Sequence, residues 1–331
     1  MNYYRLTEGE REEISRMLSR GCSLRDIARS LSRSVSTVSN EVSAGGCNRY
    51  IYQATTAHRR AQRKARKRKL GKRKIILLPH LQRYVHARLR LKWSPDEIAC
   101  KIAKEYPVDM TMRISPEAIY SYIYVLPKGA LRKELLACLR RERKRRHKRK
   151  KGNTETVARG KIQDMLSIEE RPKEVADRIV PGHWEGDLLV GKNRQSYLGS
   201  LVERTTRTTI LIPLKNKSAE EVRKQFAKEA KKLPLHMRLS MTYDQGTEMA
   251  QHKLFTKETA MQVYFAHPAS PWERGTNENT NGIIRQFFPK GTDFSKISRR
   301  EVKHVQHLLN GRPRKVLNYA TPYEIFYSLL R

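Results

Sequence analysis

The order of β-rich and helical runs after about residue 177 is the feature that most restricts the fold of this chain. Short runs rich in β-formers and separated by turn residues predict a meander; they are Asp187–Val190, Tyr197–Glu203 and Thr208–Leu214. Ser218 with Glu221 then predicts the start of a helix. Two further strands, Leu239–Tyr243 and Gln262–Phe265, and a helix from about Thr276 complete the order.

The ribonuclease-H-like fold, to which retroviral integrases belong, has this order of elements: three strands, a helix, a strand, a short helix, a strand and a late helix. By this analogy we expect an α/β ribonuclease-H-like catalytic domain over residues 175–331. Fold analogy does not establish chemistry, which depends on the side chains that the fold brings together.

The N-terminal part of the chain has helical periodicity over residues 6–43. Residues 6–43 predict three short helices with starts at Thr7, Ser23 and Ser34, and Glu10 completes a capping box with Thr7. In the third helix the apolar positions fall on one face and are Val35, Val38 and Val42. We expect the polar residues opposite them to point outward; they are Arg33, Ser36, Thr37 and Asn40.

Two helices joined by a tight turn, with small polar side chains on the outer face, fit the major groove of DNA. Asn, Ser and Thr side chains can bond to base edges there. Residues 1–50 are therefore predicted to form a helix-turn-helix DNA-binding domain that uses the four polar residues named above. The alternative is a plain three-helix module whose outer side chains are only solvated.

A second helical module is predicted between two basic linkers. Residues 51–78 form the first linker, in which the basic run 59–74 would lie on phosphates. Residues 79–139 contain two Ser-Pro helix starts, at Ser94 and Ser115, typical of capped helices. These starts fit a second helix-turn-helix or a helical dimerisation module. Residues 140–174 read as a basic and polar linker.

The charge of the chain indicates a polyanionic partner. Lys and Arg number 69 against 33 Asp and Glu, which gives a formal net charge of +36. Such a surplus raises self-repulsion in the compact state and favours nucleic-acid binding with strong salt dependence. A basic ribosomal-type protein, or one that is merely solubilised by its charge, is the alternative on composition alone.

Cysteine usage and hydropathy predict an intracellular protein. The four cysteines are far apart and form no CxxC pair, so we expect reduced thiols, no zinc site and no disulfides. The longest apolar stretches are too short for a membrane span, and Met1–Arg11 has no apolar signal core. We therefore expect a cytoplasmic protein with no membrane contact.

Three acidic residues are candidates for a two-metal site, which needs carboxylates that converge from different elements. Asp187 is predicted to open the first strand, Asp244 to end the fourth, and Glu278 to lie on the first turn of the late helix. Glu278, Asn281 and Arg285 recur at helical spacing and share one face. Glu185 shares a strand face with Asp187 and is a rival first ligand. Alternatively, these acids are solvated or form salt bridges.

From Gly182 onward the sequence closely resembles the DDE transposases of the IS-thirty family of bacterial insertion sequences. The blocks that carry the resemblance are Gly182–Asp187 (GHWEGD), Tyr243–Gly246 (YDQG), Ser270–Gly291 (SPWERGTNENTNGIIRQFFPKG), Asn310–Lys315 (NGRPRK) and Thr321-Pro322. Shorter matches in the first half are Leu6-Thr7, Ile27-Ala28, Ser34–Ser39 and Trp93-Ser94-Pro95. Gln245 and Met249 depart from the expected Asn and Phe, but the carboxylate of the second block remains.

The resemblance implies the catalytic and metal-binding triad Asp187, Asp244 and Glu278. Asp187 is expected to bridge two Mg²⁺ ions, for which Mn²⁺ can substitute, with one of the other carboxylates completing each site. Arg285 and Lys290 are expected to contact DNA, although Arg285 is as readily interpreted as a structural salt bridge. Trp272 is expected either to stack on a base or to pack, and His183 to be structural rather than a proton carrier.

The implied activity is DNA transposition. The protein would bind the terminal inverted repeats of its element as double-stranded DNA, cleave the 3′ ends and join them to target DNA. A homodimer or higher oligomer on DNA and a place at the bacterial nucleoid are implied as well. The closest alternatives are a ribonuclease-H-like DNA nuclease without joining and a catalytically silent end-binding regulator. A Tyr or Ser recombinase and a helix-turn-helix repressor fit the sequence less well.

Overall fold

The computed structural model describes residues 5–44, 48–70, 74–139, 162–268 and 270–330. The chain divides into two compact units, Met1–Leu78 and Pro79–Arg331. The basic run at 140–151 and the polar stretch up to residue 161 lie outside the described residues. None of the described helices combines the length and apolar character that crossing a membrane requires.

The first unit is helical: helices were predicted over residues 6–43, and residues 51–78, which were expected to form a basic linker, contain helices as well. Its helices are α1 (Glu8–Ser19), α2 (Leu24–Ser30), α3 (Val35–Ser43), α4 (Ala54–Leu70) and α5 (Lys74–Leu77). The predicted capping box of Thr7 and Glu10 is confirmed, and so are the caps at Ser23 and Ser34. Each cap satisfies backbone N–H groups that have no partner inside the helix, which fixes where the helix begins.

The core of the first unit follows the predicted apolar positions with one exception. Ile14, Ile27 and Val38 are completely buried. Val35 was expected beside Val38 and Val42, but it is 44% exposed, so that expectation is wrong. Val35 is the first residue of α3 and lies at the margin of the core, whereas the later valines are deeper in the helix.

The second unit begins with four helices: α6 (Pro79–Arg90), α7 (Pro95–Glu105), α8 (Pro116–Val125) and α9 (Ala130–Cys138). Ser94 caps α7 in a capping box with Glu97, and Ser115 caps α8, as predicted from the Ser-Pro starts. In both cases the proline occupies the first helical position, where its missing N–H costs nothing.

A five-stranded mixed sheet follows. Its elements, with the flanking helices, are α10 (Glu174–Asp177), β1 (His183–Val190), β2 (Tyr197–Glu203), β3 (Thr209–Leu214), α11 (Ala219–Ala230), β4 (Ser240–Tyr243), α12 (His252–Thr259), β5 (Gln262–Phe265), α13 (Gly275–Ile284), α14 (Arg299–Asn310) and α15 (Pro322–Ser328). The strand order is β3-β2-β1-β4-β5, with β1, β2 and β3 antiparallel and β4 parallel to both neighbours. The ribonuclease-H-like fold expected from the element order is confirmed.

The sheet is covered on both faces because its strand residues alternate between two cores. Trp184, Leu201 and Tyr243 pack with Phe226 of α11 and Phe255 of α12 on one face. On the other face the packed set is Leu189, Leu198, Leu211, Ile283, Ile284 and Leu309, which brings in α13 and α14. Asp187 precedes Leu189 by two residues and points to the same face, so its side chain is on the α13 side of the sheet.

The position of Asp187 in its strand differs from the expectation. β1 begins at His183, so Asp187 is an interior residue of the strand and does not open it. The strand is longer because His183–Glu185 pair in parallel with Ser240–Thr242 while the same strand pairs with β2. Asp187 therefore has strand backbone on both sides, which holds its side chain in a defined direction.

The end of the chain packs on the helical module of the same unit. Arg312 is 1% exposed, and its Nε lies 2.9 Å from Glu97 Oε2 at the start of α7. Tyr319 donates its hydroxyl to Asp96 over 2.7 Å, and Lys101 pairs with Glu324 at 2.6 Å. The first turn of α7 is therefore occupied by contacts within the unit.

Candidate active site

Two of the predicted carboxylates share one guanidinium group. Arg274 lies with Nη1 3.5 Å from Asp187 Oδ1 and with Nη2 3.2 Å from Asp244 Oδ2. Arg274 Nη1 also donates to the carbonyl of Gly186 over 2.9 Å, which anchors the guanidinium beside β1. Asp187 comes from the middle of β1 and Asp244 directly follows β4, so parallel pairing of these strands brings the two acids together.

The helix α13 is fixed to β1 by asparagine side chains. Asn281 donates its amide to Asp187 Oδ2 over 2.6 Å, and Asn277 donates its amide to the carbonyl of Glu185 over 3.1 Å. Ser200 on β2 lies beneath both, with its hydroxyl 3.2 Å from each asparagine side-chain oxygen. This network sets the height of α13 above the sheet.

Glu185, the rival first ligand, has a different set of partners. Its side chain is completely buried, with Oε1 3.1 Å from Arg204 and Oε2 accepting the backbone N–H of Asn277 over 2.8 Å. A carboxylate taken out of water needs such a partner, because an isolated buried charge is costly. This environment favours a structural role for Glu185.

Glu278 is on the first turn of α13, as predicted, but it is exposed. It precedes Asn281 by three residues and follows Arg274 by four, and this spacing puts it on the same side of the helix as both. In the described part of the chain no group of three or more His, Cys, Asp or Glu side chains is arranged to hold a metal ion. The structure thus brings Asp187 and Asp244 together and leaves Glu278 exposed to solvent outside the pair.

The electrostatics of the pair show the cost of placing two acids together. The pKa of Asp187 is raised to about 6, chiefly by burial and also by the Asp244 charge, while Arg274 acts in the opposite direction. Carboxylate oxygens are the ligands that Mg²⁺ prefers. The two carboxylates already converge on one cationic group, Arg274, so they are also placed to bind a divalent cation between them.

Four further residues singled out in the sequence have the following environments. His183 is buried with Nδ1 2.7 Å from Ser240 Oγ, and burial lowers its pKa, which favours the structural interpretation. Trp272 is 73% exposed, so the packing alternative is wrong for it. Arg285 donates to the carbonyl of Val190 over 2.9 Å, and the expected salt bridge is absent among the described residues. Lys290 is exposed.

The predicted base-reading residues of the first unit fall into two groups. Ser36 and Asn40 are exposed and one helical turn apart on α3, whereas Thr37 is half-buried with its hydroxyl 2.7 Å from that of Ser34. Arg33 is held by Glu10, with Nε 2.8 Å from Oε1. Ser36 and Asn40 are therefore the better placed to reach a base edge.

Sequence reasoning missed Arg274 and the polar support under Asp187. The sequence nevertheless contains a feature that marks each of them. Arg274 stands one helical turn before Glu278, and Ser200 is a small polar residue inside the otherwise apolar β2. Neither signal shows which carboxylate would be contacted, because that depends on the parallel pairing of β1 with β4.

Comparison with known proteins identifies the family of this chain. Residues 2–45 match the family described as a helix-turn-helix domain, and residues 177–271 match the integrase core domain. The transposase for insertion sequence element IS1086 of Cupriavidus metallidurans is 41% identical and aligns over 99% of this chain and 96% of its own. The chain belongs to the IS30 family of transposases.

A second relative of this transposase is InsI for insertion sequence element IS30A of Escherichia coli K12, which is 41% identical over 97% of this chain and 82% of its own length. Among solved structures, the catalytic core domain of BIV integrase matches at 16% identity with a TM-score of 0.36, over 45% of this chain and 95% of that one.

Family membership makes the protein a DNA transposase, an enzyme that cleaves DNA and transfers strands, with a DNA-binding helix-turn-helix domain. Integrase core domains generally use divalent metal ions. The integrase match ends at residue 271, so it includes Asp187 and Asp244 but not Glu278.

Proposed function

We propose that this transposase binds the terminal inverted repeats of its insertion sequence, cleaves their 3′ ends and joins them to target DNA with two Mg²⁺ ions at Asp187, Asp244 and Glu278. The observation that carries the proposal is the pair of carboxylates from separate strands that share the Arg274 guanidinium. A site that holds one cation between two acids is suited to hold a metal cation there.

In this proposal Asp187 would bind both ions, and Asp244 and Glu278 one each. When bound, the ions supply activation of the attacking oxygen and stabilisation of the leaving oxygen. Asn281 orients Asp187 through its amide, and Arg274 leaves the carboxylates and turns toward a phosphate of the DNA. Glu278 reaches the pair by a side-chain rotation, since it already lies on the same side of α13.

The first unit would select the DNA. Ser36 and Asn40 would contact base edges in the major groove, and the basic helix α4 would contact phosphates. Arg285 and Lys290 would contact the backbone of the strand near the cut. Synapsis of two element ends by a homodimer or higher oligomer follows from the same proposal.

Asp244→Asn tests the metal site. With a labelled duplex of an element end and Mg²⁺, the variant should lose cleavage and strand transfer while its affinity for the duplex stays within about twofold of the parent. Glu220→Gln, which neutralises an exposed acid on α11, is the matched control. Retained cleavage in Asp244→Asn contradicts the assignment. Loss of cleavage together with loss of duplex binding and of folding contradicts it as well, because the residue would then be structural.

A donor duplex that already carries a free 3′-OH separates this function from that of a nuclease. Joining of the donor to a target plasmid is expected, and hydrolysis without joined product would favour the nuclease. Matching inverted repeats in the DNA that flanks the gene would supply the duplex for both assays.

A further inference from the structure

A groove of about 790 Å³ runs along the outer edge of β3, between α11 on one face of the sheet and α14 on the other, and α15 also lines it. We call it the edge groove. Its cationic lining residues are Lys228, Lys232, Arg299, Arg300 and Lys303, and its aromatic ones are Tyr323, Phe326 and Tyr327. It is separate from the acid pair, because Leu211 in the groove is two strands away from Asp187, about 10 Å across the sheet.

The strand edge in the groove has no free N–H for a peptide. Thr209 donates its N–H to Asn310 Oδ1 over 2.8 Å, and Leu211 donates to Gln306 Oε1 over 2.9 Å. Pro213, the next residue with the same outward orientation, has no N–H. An added β-strand needs these donors, so strand addition by a peptide is excluded.

The positive charge of the edge groove favours binding of an anion. Lys232 pairs with Glu229 at 2.5 Å, but within the described residues Lys228, Arg299, Arg300 and Lys303 have no ion pair. Arg299 and Arg300 are the first two residues of α14. Cations are disfavoured at a helix N-terminus, where the backbone N–H groups already carry partial positive charge. Their placement is stabilised when phosphates bind across them.

The aromatic wall favours nucleic acid over a free anion. Tyr323 and Tyr327 are one turn apart on α15, with ring centroids 5.5 Å apart and planes 24° apart. Tyr323 is fixed by a 2.6 Å contact between its hydroxyl and His307 Nδ1, whereas Tyr327 is 56% exposed. An exposed ring beside a row of cations is the arrangement on which unpaired bases stack while the backbone follows the charges.

We propose that the edge groove binds a short single-stranded stretch of DNA, with phosphates against Arg299, Arg300 and Lys303 and an unpaired base on Tyr327. The volume is that of a pocket for a small ligand, about 300–1,000 Å³, so it admits a few nucleotides of one strand and not a duplex. The inference rests on the proposed function, because a strand cut at an element end can separate from its complement there.

Fluorescence anisotropy of the full chain with labelled oligodeoxythymidine, in EDTA and over a range of salt, tests the proposal without any metal chemistry. Each lost phosphate contact on a single strand lowers the slope of log K against log salt by about 0.7. Arg300→Gln with Lys303→Gln should therefore lower the slope by about 1.4. The double variant Lys224→Gln with Lys257→Gln removes the same charge from exposed positions on α11 and α12 outside the groove and should change the slope less.

Tyr327→Leu tests the stacking surface. It should weaken single-strand binding about fivefold to 100-fold, since stacking on an aromatic ring contributes about 1–3 kcal/mol per base. Tyr327→Phe should keep the affinity, and a 5-iododeoxyuridine oligonucleotide should crosslink to α15 in the parent chain. The proposal would be overturned if the groove and control variants changed the salt slope equally. It would also be overturned if the groove variants lost as much affinity for duplex DNA as for the single strand. Failure of Mg²⁺-dependent cleavage would leave this binding result unchanged, so the two proposals fail separately.

Discussion

Asn281 holds the Asp187 carboxylate by a single 2.6 Å hydrogen bond from its side-chain amide. The bond joins the helix that carries Glu278 to the strand that carries Asp187, so one side chain fixes both the rotamer of one candidate ligand and the approach of another. The other Asp187 oxygen faces Arg274. The relationship makes Asn281 a positioning residue whose effect should be measurable apart from folding.

Asn281→Ala should lower end cleavage about 10- to 100-fold, the usual cost of removing a hydrogen-bond partner of a metal ligand. The apparent Mg²⁺ concentration for half-maximal cleavage should rise as well, because Asp187 is no longer oriented. A Mg²⁺ titration of initial cleavage rates gives both values. Asn279→Ala, at an exposed position of the same helix, should leave both near the parent values.

Arg274→Gln should destabilise the metal-free protein and increase its response to metal. The substitution leaves two neighbouring acids without their shared cation, which we expect to cost about 1–2 kcal/mol at this half-exposed site. Added Mg²⁺ should restore more stability in the variant than in the parent, because no guanidinium has to be displaced. Thermal unfolding in EDTA and in Mg²⁺ measures this difference.

Arg223→Gln is the control for that measurement, since it breaks the ion pair with Glu258 away from the acid pair. It should lower the melting temperature by a similar amount with and without Mg²⁺. An identical Mg²⁺ response in the Arg274 and Arg223 variants would show that Arg274 does not occupy a cation site.

Ser36→Ala and Asn40→Ala should weaken binding to the element ends more than binding to random DNA. A lost base contact costs about 1–3 kcal/mol of discrimination, whereas a lost phosphate contact weakens all sequences alike. Competition binding with end and scrambled duplexes measures the ratio. Thr37→Ala should change the ratio less, since its hydroxyl is engaged by Ser34. Equal losses on both duplexes would make α3 a scaffold helix.

His183 should make the protein less stable in mild acid. Burial lowers its pKa below the ordinary histidine value of about 6.5. The unfolded chain then binds the proton more readily than the folded one, so stability is lost as pH falls below about 6.5, with a slope of at most about 1.4 kcal/mol per pH unit from this group. His183→Gln should flatten the fall in melting temperature between pH 7.5 and 5.5, and His236→Gln, at an exposed site, should not.

The helices and strands were largely predictable because their signals are local. Thr7 with Glu10 and Ser94 with Glu97 each satisfy backbone groups within one turn, so the residues that decide the helix start are adjacent in sequence. The start of β1 was not predictable in this way. It depends on pairing with β4, more than fifty residues later, and the sequence from His183 to Gly186 carries no alternation that marks it.

The candidate site shows the same division. Asp187 and Asp244 were found from their position next to strands and from motif resemblance. Arg274 as their shared partner was not found, because its role follows from distances between β1, β4 and the start of α13. A guanidinium that serves two acids is a property of the assembled sheet, whereas a capping box belongs to four consecutive residues.

The contacts of α7 with Arg312 and Tyr319 have a consequence for folding during synthesis. Glu97 and Asp96 are synthesised more than two hundred residues before Arg312 and Tyr319, their partners. On the ribosome the helical module therefore lacks these two side-chain partners until Arg312 and Tyr319 have been synthesised. A nascent chain released before Arg312 would contain the helix-turn-helix unit but lack the contacts that Arg312 and Tyr319 make with α7. Such a polypeptide would be expected to bind DNA without a complete catalytic domain.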